Sequence, residues 1–230
     1  MKIADLNWMQ VEEYLERDDR IVLPIGSTEQ HGYLSLATDL TLAERVAVEA
    51  AEPLGVPVLP VLPFGIAPGF TAYPGTVSLQ HDTLFLVLRD ALDALYSQGF
   101  RRFLVVNGHG GNVGVEQPLA EWARAHESAH LRFHSWYAGE RARARAESLH
   151  SDPTHANWFE NFPWTRLEGV AFPAEPKELA AVDEWADPAE VRRALGDGSF
   201  GGSYERPDEE MRQLWAAAVE EVRELIESGW

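Results

Sequence analysis

Two short polar runs constrain this chain most: Glu29-Gln30-His31-Gly32 and Asn107-Gly108-His109-Gly110-Gly111-Asn112. Each follows directly on an apolar run that reads as a buried strand, Ile21 to Ile25 and Phe103 to Val106. Side chains just past the carboxyl ends of parallel strands converge in one crevice, so His and carboxylate at two strand ends are the makings of a metal site. Further strand-like runs at Val56 to Leu62 and Leu131 to Trp136 alternate with helical patterns. That alternation predicts an α/β fold, a single layered domain over residues 1–230 with a mainly parallel sheet flanked by helices.

The spacing of Leu84, Leu88, Ala91, Leu92 and Leu95 predicts a helix over Thr83 to Gln98, capped by Asp82 and closed by Gly99. A second helix is expected from Asp208 to Glu227, through Met211, Trp215, Ala218, Val222 and Leu225, with acidic residues at its start. Arg141, Arg143 and Arg145 read as a solvated helix face. From about 147 to 202 periodicity is poor, and an irregular stretch of that length in a compact domain is usually functional.

With 45% apolar residues and eight tryptophans the chain can bury a sizeable core. No stretch approaches the ~20 continuous apolar residues of a membrane span. A formal charge of −18 repels phosphate backbones and anionic lipid, so neither nucleic acid nor membrane is an expected partner. With no cysteine and no signal-like pattern in Met1 to Asn7, the expected compartment is the cytoplasm.

In an extended segment residues two apart point the same way, so Glu29 and His31 share a ligand only if the chain stays extended past its strand. Asp39, ten residues beyond Glu29, is within reach of a returning loop and could bridge two cations. His109 sits in a glycine-rich turn with Asn107 and Asn112 as orienting neighbours. Two histidines and two carboxylates without thiolate suit one or two cations of zinc, manganese or ferrous iron. Neither a P-loop nor a dinucleotide fingerprint follows these turns. In Thr154-His155-Ala156-Asn157-Trp158-Phe159-Glu160-Asn161 a histidine and a glutamate interleave with aromatics, either a proton-transfer pair with apolar walls or a Trp-rich loop packed on the core.

In order along the chain, Leu23 to Gly32 with Asp39, Tyr73-Pro74-Gly75-Thr76-Val77-Ser78-Leu79, Asn107 to Asn112, His155 to Glu160 and, more loosely, Gly202 to Pro207 resemble the creatininase, or creatinine amidohydrolase, family. The resemblance implies a compact α/β domain, a one- or two-metal centre, hydrolysis of an amide-type C–N bond and a hexamer. On that basis Glu29, His31, Asp39 and His109 are the expected ligands, with a small-molecule amide as substrate. His155 is then the expected proton shuttle, and Tyr73, Trp158 and Phe159 the pocket walls.

Two departures stand out. The run Tyr33 to Thr38 is one residue shorter than usual and lacks a histidine and a proline, and Gly111 replaces a glutamate ligand found in creatinine-hydrolysing members. The second departure argues against creatinine as substrate and makes Glu160 the nearest replacement ligand. Rival readings are a metal-dependent phosphoesterase, disfavoured by the few Arg and Lys near these motifs, and a non-catalytic metal-binding scaffold.

Overall fold

The computed structural model describes residues 1–230. Three strands form one sheet: β1 (Arg20–Ile25), β2 (Arg102–Asn107) and β3 (His130–Ser135), all parallel and in that order. The register pairs Ile25 with Asn107 and Asn107 with Ser135, so the three carboxyl ends finish level. Glu29, His31 and His109 follow the first two of those ends.

Strict alternation in β1 and β2 loads both faces. Val22, Leu104 and Val106 face a core shared with α2 (Thr38–Ala51), α5 (Glu140–Leu149) and α7 (Asp208–Ser228). Ile21, Leu23, Ile25, Phe103 and Val105 face a second core, closed by α3 (His81–Gln98) and α4 (Glu116–Ala125) together with Tyr14 of α1 (Trp8–Leu15). Strands covered on both sides carry continuous apolar runs, which is why these two were readable in the sequence. A short helix, α6 (Pro188–Leu195), packs with Phe70 and Tyr73 in a third, smaller cluster.

Several expectations shift. The run Val56 to Leu62 is no strand: it lies along the free edge of β1 and bridges it only at Val58 and Leu62. Pro57, Pro60 and Pro63 remove the donors a continuous ladder needs. Helix α3 starts at His81, two residues early, with Asp82 inside its first turn rather than capping it, while Gly99 closes it at φ +117° as expected. The arginines of α5 are not simply solvated: Arg141 pairs with Glu224 at 2.5 Å, and Arg145 bonds to Gln213, both on α7. No helix is long and apolar enough to cross a membrane.

Candidate metal centre

The segment after β1 stays extended, because Thr28 forms an antiparallel bridge to Val77 and accepts its N–H at 2.9 Å, while Thr76 Oγ1 accepts the N–H of Gln30 at 3.0 Å. The Tyr73 to Leu79 run therefore serves as a splint that points Glu29 and His31 to one side. Asp39 arrives from the first turn of α2, where the helix dipole favours a carboxylate. Two close approaches bring it there. A side chain at Gly26 would collide with the backbone of Leu40, and one at Gly108 with the carbonyl of Asp39.

The glycine-rich turn after β2 is held by its two asparagines. Asn107 accepts the N–H of His109 (3.1 Å) and donates to its carbonyl (2.7 Å), and Asn112 donates to Gly26 O (3.1 Å). These bonds tie the ends of β1 and β2 together and fix His109. Gly111 has a packing reason: a side chain there would run into the carbonyl of Ile66 and the ring of His109.

Five side chains converge. Asp39 Oδ1 lies 3.0 Å from His31 Nε2, and its Oδ2 lies 2.9 Å from His109 Nδ1. Glu29 Oε1 is 3.3 Å from His109 Nδ1, and Glu160 Oε2 is 3.6 Å from His31 Nε2. All five residues are buried. Yet Glu29 Oε1, His31 Nε2 and Asp39 Oδ2 make no hydrogen bond, at a cost of about 1–3 kcal/mol each if left so. Behind the rings, His31 Nδ1 faces the Glu29 carbonyl at 3.4 Å and His109 Nε2 faces the Ile66 carbonyl at 2.9 Å. A carbonyl only accepts, so each outer nitrogen carries a proton, and the neutral form of each ring turns its lone pair toward the cluster.

The donor atoms form three groups whose members lie within 4.8 Å of one another: Glu29–Asp39–His109 and His31–Asp39–Glu160, which share Asp39, and Glu29–His31–His155. The electrostatics call for positive charge. Burial depresses His31 and His109, but Asp39 with Glu160, and Glu29 with Asp39, outweigh it and hold both imidazoles well above their usual range. Burial likewise raises Asp39, and the His31 and His109 rings more than reverse it. Glu29 is pushed up by burial, with Asp39 adding to the effect.

The irregular segment supplies the rest. Asn157 organises the turn Trp158–Glu160, accepting the N–H of Phe159 at 2.9 Å and donating to Asp152 O and Gly201 O. Ala156, at φ +55°, gives its N–H to Glu160 Oε2 at 2.7 Å, which aims that carboxylate at His31. His155 stacks on Phe70 (4.9 Å, 16°) and turns Nδ1 toward Glu29 Oε1 at 3.8 Å. Burial, reinforced by His31, holds His155 well below the usual histidine range.

The expected pocket walls lie elsewhere. Trp158 and Phe159 belong to the main core, where Phe159 stacks on Trp136, and Tyr73 sits in the small cluster under α6. Their apolar area is more fully removed from water there than at a cavity mouth, and packing claims them. The cavity over the cluster, about 130 Å³, is instead completed by Tyr137, Thr154 and Glu184. Burial pushes the Tyr137 phenol up to about 12 and raises the Glu184 carboxyl. Tyr137 follows β3 directly, so it was open to the same strand-end reasoning; Glu184 lies in a stretch without periodicity and gave no signal.

An α/β sheet with a buried His/carboxylate cluster beyond its strand ends defines the class. The creatininase family, described as creatinine amidohydrolase, matches residues 4–226, and the chain belongs to that family. Creatinine amidohydrolase of Pseudomonas putida is 32% identical over 131 residues, 52% of this chain and 50% of that protein. Mycofactocin precursor peptide peptidase of Mycolicibacterium smegmatis is 39% identical over 100 residues, 40% of each. These matches thus span half or less of either relative's length. A manganese creatininase superposes with a TM-score of 0.82 at 24% identity, covering 99% of this chain and 98% of the other. A zinc–zinc form of a mutant creatininase gives the same score at 23% identity over 99% and 97%. These likenesses are of fold.

Proposed function

We propose that the protein is a metal-dependent hydrolase of a small-molecule amide, holding two divalent cations, one between Glu29, Asp39 and His109 and one between His31, Asp39 and Glu160. The observation that carries this reading is Asp39, whose two oxygens face two different histidines at 3.0 and 2.9 Å while the neighbouring buried Glu29 Oε1 and His31 Nε2 lack hydrogen bonds. Nitrogen and oxygen donors without thiolate fit zinc, manganese or ferrous iron. Manganese and zinc forms of creatininase support that choice.

When bound, such cations activate a water and polarise a substrate carbonyl. The chain's own groups do the remaining work. Glu160 replaces the carboxylate that Gly111 lacks, from a different loop. Tyr137 and His155 line the cavity beyond the ligand groups and are left to orient the amide and to hold a proton beside the reacting bond. No arginine or lysine lines that cavity, which disfavours a phosphoester, since a transferring phosphoryl group calls for cationic side chains. The relatives' names cover both creatinine and a precursor peptide. The absence of a carboxylate at Gly111 and the shorter Tyr33 to Thr38 run favour a different amide from creatinine.

Zinc- or manganese-loaded protein screened against cyclic amides, formamides and short peptides is expected to turn over at least one class and to lose that activity on chelation. Activity that survives complete removal of metal would overturn the reading. We also propose that the chain works in the cytoplasm as a hexamer, an assembly that light scattering on the purified protein would weigh directly.

A further inference from the structure

Three histidines face the cluster, and their outer nitrogens meet different partners. His31 and His109 back onto carbonyls, whereas the outer Nε2 of His155 lies 2.8 Å from the side-chain nitrogen of Gln30. We propose that Gln30 fixes His155 in the tautomer with its proton on Nδ1, making His155 a hydrogen-bond donor toward the cavity rather than a metal ligand or a base.

The orientation of the Gln30 amide decides this. Its Oε1 accepts the N–H of Gly32 at 3.1 Å, and its Nε2 donates to Gly198 O at 3.1 Å. Flipping the amide would set carbonyl against carbonyl and NH₂ against N–H, so the flip is excluded by the two backbone contacts. The second hydrogen on Nε2 is then directed at His155. A ring nitrogen facing a donor must accept, which leaves the proton of the neutral ring on Nδ1, the atom turned toward Glu29. Rotating the ring by a half turn would replace the acceptor with a C–H.

The amide itself is held by the irregular segment. Gly198, at φ +96°, lies flat against Gln30 where a side chain would collide with it. Lys177 pins this loop through Leu195 O (2.5 Å), Asp197 Oδ1 (2.5 Å) and Ser199 O (2.6 Å). Gln30 is thus a positioning residue that acts through His155.

Two consequences follow. An Nδ1 that carries a proton cannot ligate, so the donor set Glu29–His31–His155, close enough by distance alone, is not a third cation site. The same N–H can stabilise negative charge that develops on a substrate oxygen, a role worth about 10²–10³-fold in rate. That second use rests on the hydrolase reading; the tautomer does not.

Zinc-loaded full-length protein labelled with ¹⁵N-histidine tests it by long-range ¹H–¹⁵N correlation at neutral pH, with His155→Gln used to assign the signals. Nδ1 protonated and Nε2 unprotonated is the expected pattern. Gln30→Glu, which turns the donor into an acceptor, should move the proton to Nε2 and lower kcat by about 10²-fold at unchanged zinc content, with KM little altered. Gln30→Met, which offers neither, should leave a mixture of tautomers. A wild-type ring with the proton on Nε2, or zinc bound at Nδ1, would overturn the proposal, as would a pattern indifferent to both substitutions. The wild-type spectrum decides even if a variant does not fold. Failure of the amide screen with the Nδ1–H pattern present would count against the hydrolase reading alone.

Discussion

The half of the site at the strand ends and the half delivered by residues 147–207 are held in different ways. Glu29, His31, Asp39 and His109 hang from a register of parallel strands and the first turn of a helix, and their positions are fixed by backbone packing at Gly26 and Gly108. His155, Glu160 and Glu184 sit on a segment with little regular structure, fastened by side chains that bond to backbone: Asn157, Asn161 and Lys177. The contrast assigns them different work. A rigid frame keeps the four proposed ligands converged, while a separately anchored segment can set the fifth, Glu160, and the cavity wall without disturbing the frame.

That division breaks if His155 behaves like a ligand. His155→Ala is expected to lower turnover of an identified amide by roughly 10²–10³-fold, the cost of a lost donor at developing charge, with both cations retained. Loss of metal alongside activity would put His155 in the frame instead.

Removing the fastening should unseat only the irregular half. Asn157 is buried, and its side chain bonds to four backbone groups, those of Asp152, Thr154, Phe159 and Gly201. Asn157→Ala is expected to cost about 1–3 kcal/mol in chemical denaturation, because it strands buried backbone partners. Affinity for the cation proposed between Glu29, Asp39 and His109 should stay within about tenfold, less than the loss expected when a residue orienting a ligand is removed. A collapse of that affinity would mean that the two halves are one cooperative unit.

The smallest effect belongs to Glu184. Its carboxylate lines the cavity without an ion pair, and its backbone rests against Gly69. Glu184→Gln should change kcat/KM by only a few-fold for a neutral amide, as expected of a charge at a solvent-facing rim. A drop of several orders would make it part of the machinery.

The same division explains what the sequence could reveal. Periodicity reports burial, and β1, β2, β3, α3, α7 and the proposed ligands after β1 and β2 follow from where apolar runs end, whereas the equally apolar Val56 to Leu62 run is kept out of the sheet by its prolines. Glu29 and His31 were readable as a pair because only an extended path aligns them, and the Val77 bridge supplies that path. In the irregular segment periodicity has nothing to report. Trp158 and Phe159 look alike as pocket wall or core plug, and only their burial in the main core, with Phe159 stacked on Trp136, decides for the core. Glu184 reaches the cavity through a backbone contact with Gly69, 115 residues away in sequence, for which no local pattern exists.

The proposed sharing of Asp39 between two cations is most directly tested by zinc stoichiometry on reloaded protein, measured together for the wild type and three variants. Two equivalents are expected for the wild type, about one each for His109→Ala and Glu160→Gln, and none held tightly by Asp39→Asn. A wild type that saturates at one equivalent, or an Asp39→Asn protein that still holds two, would contradict it.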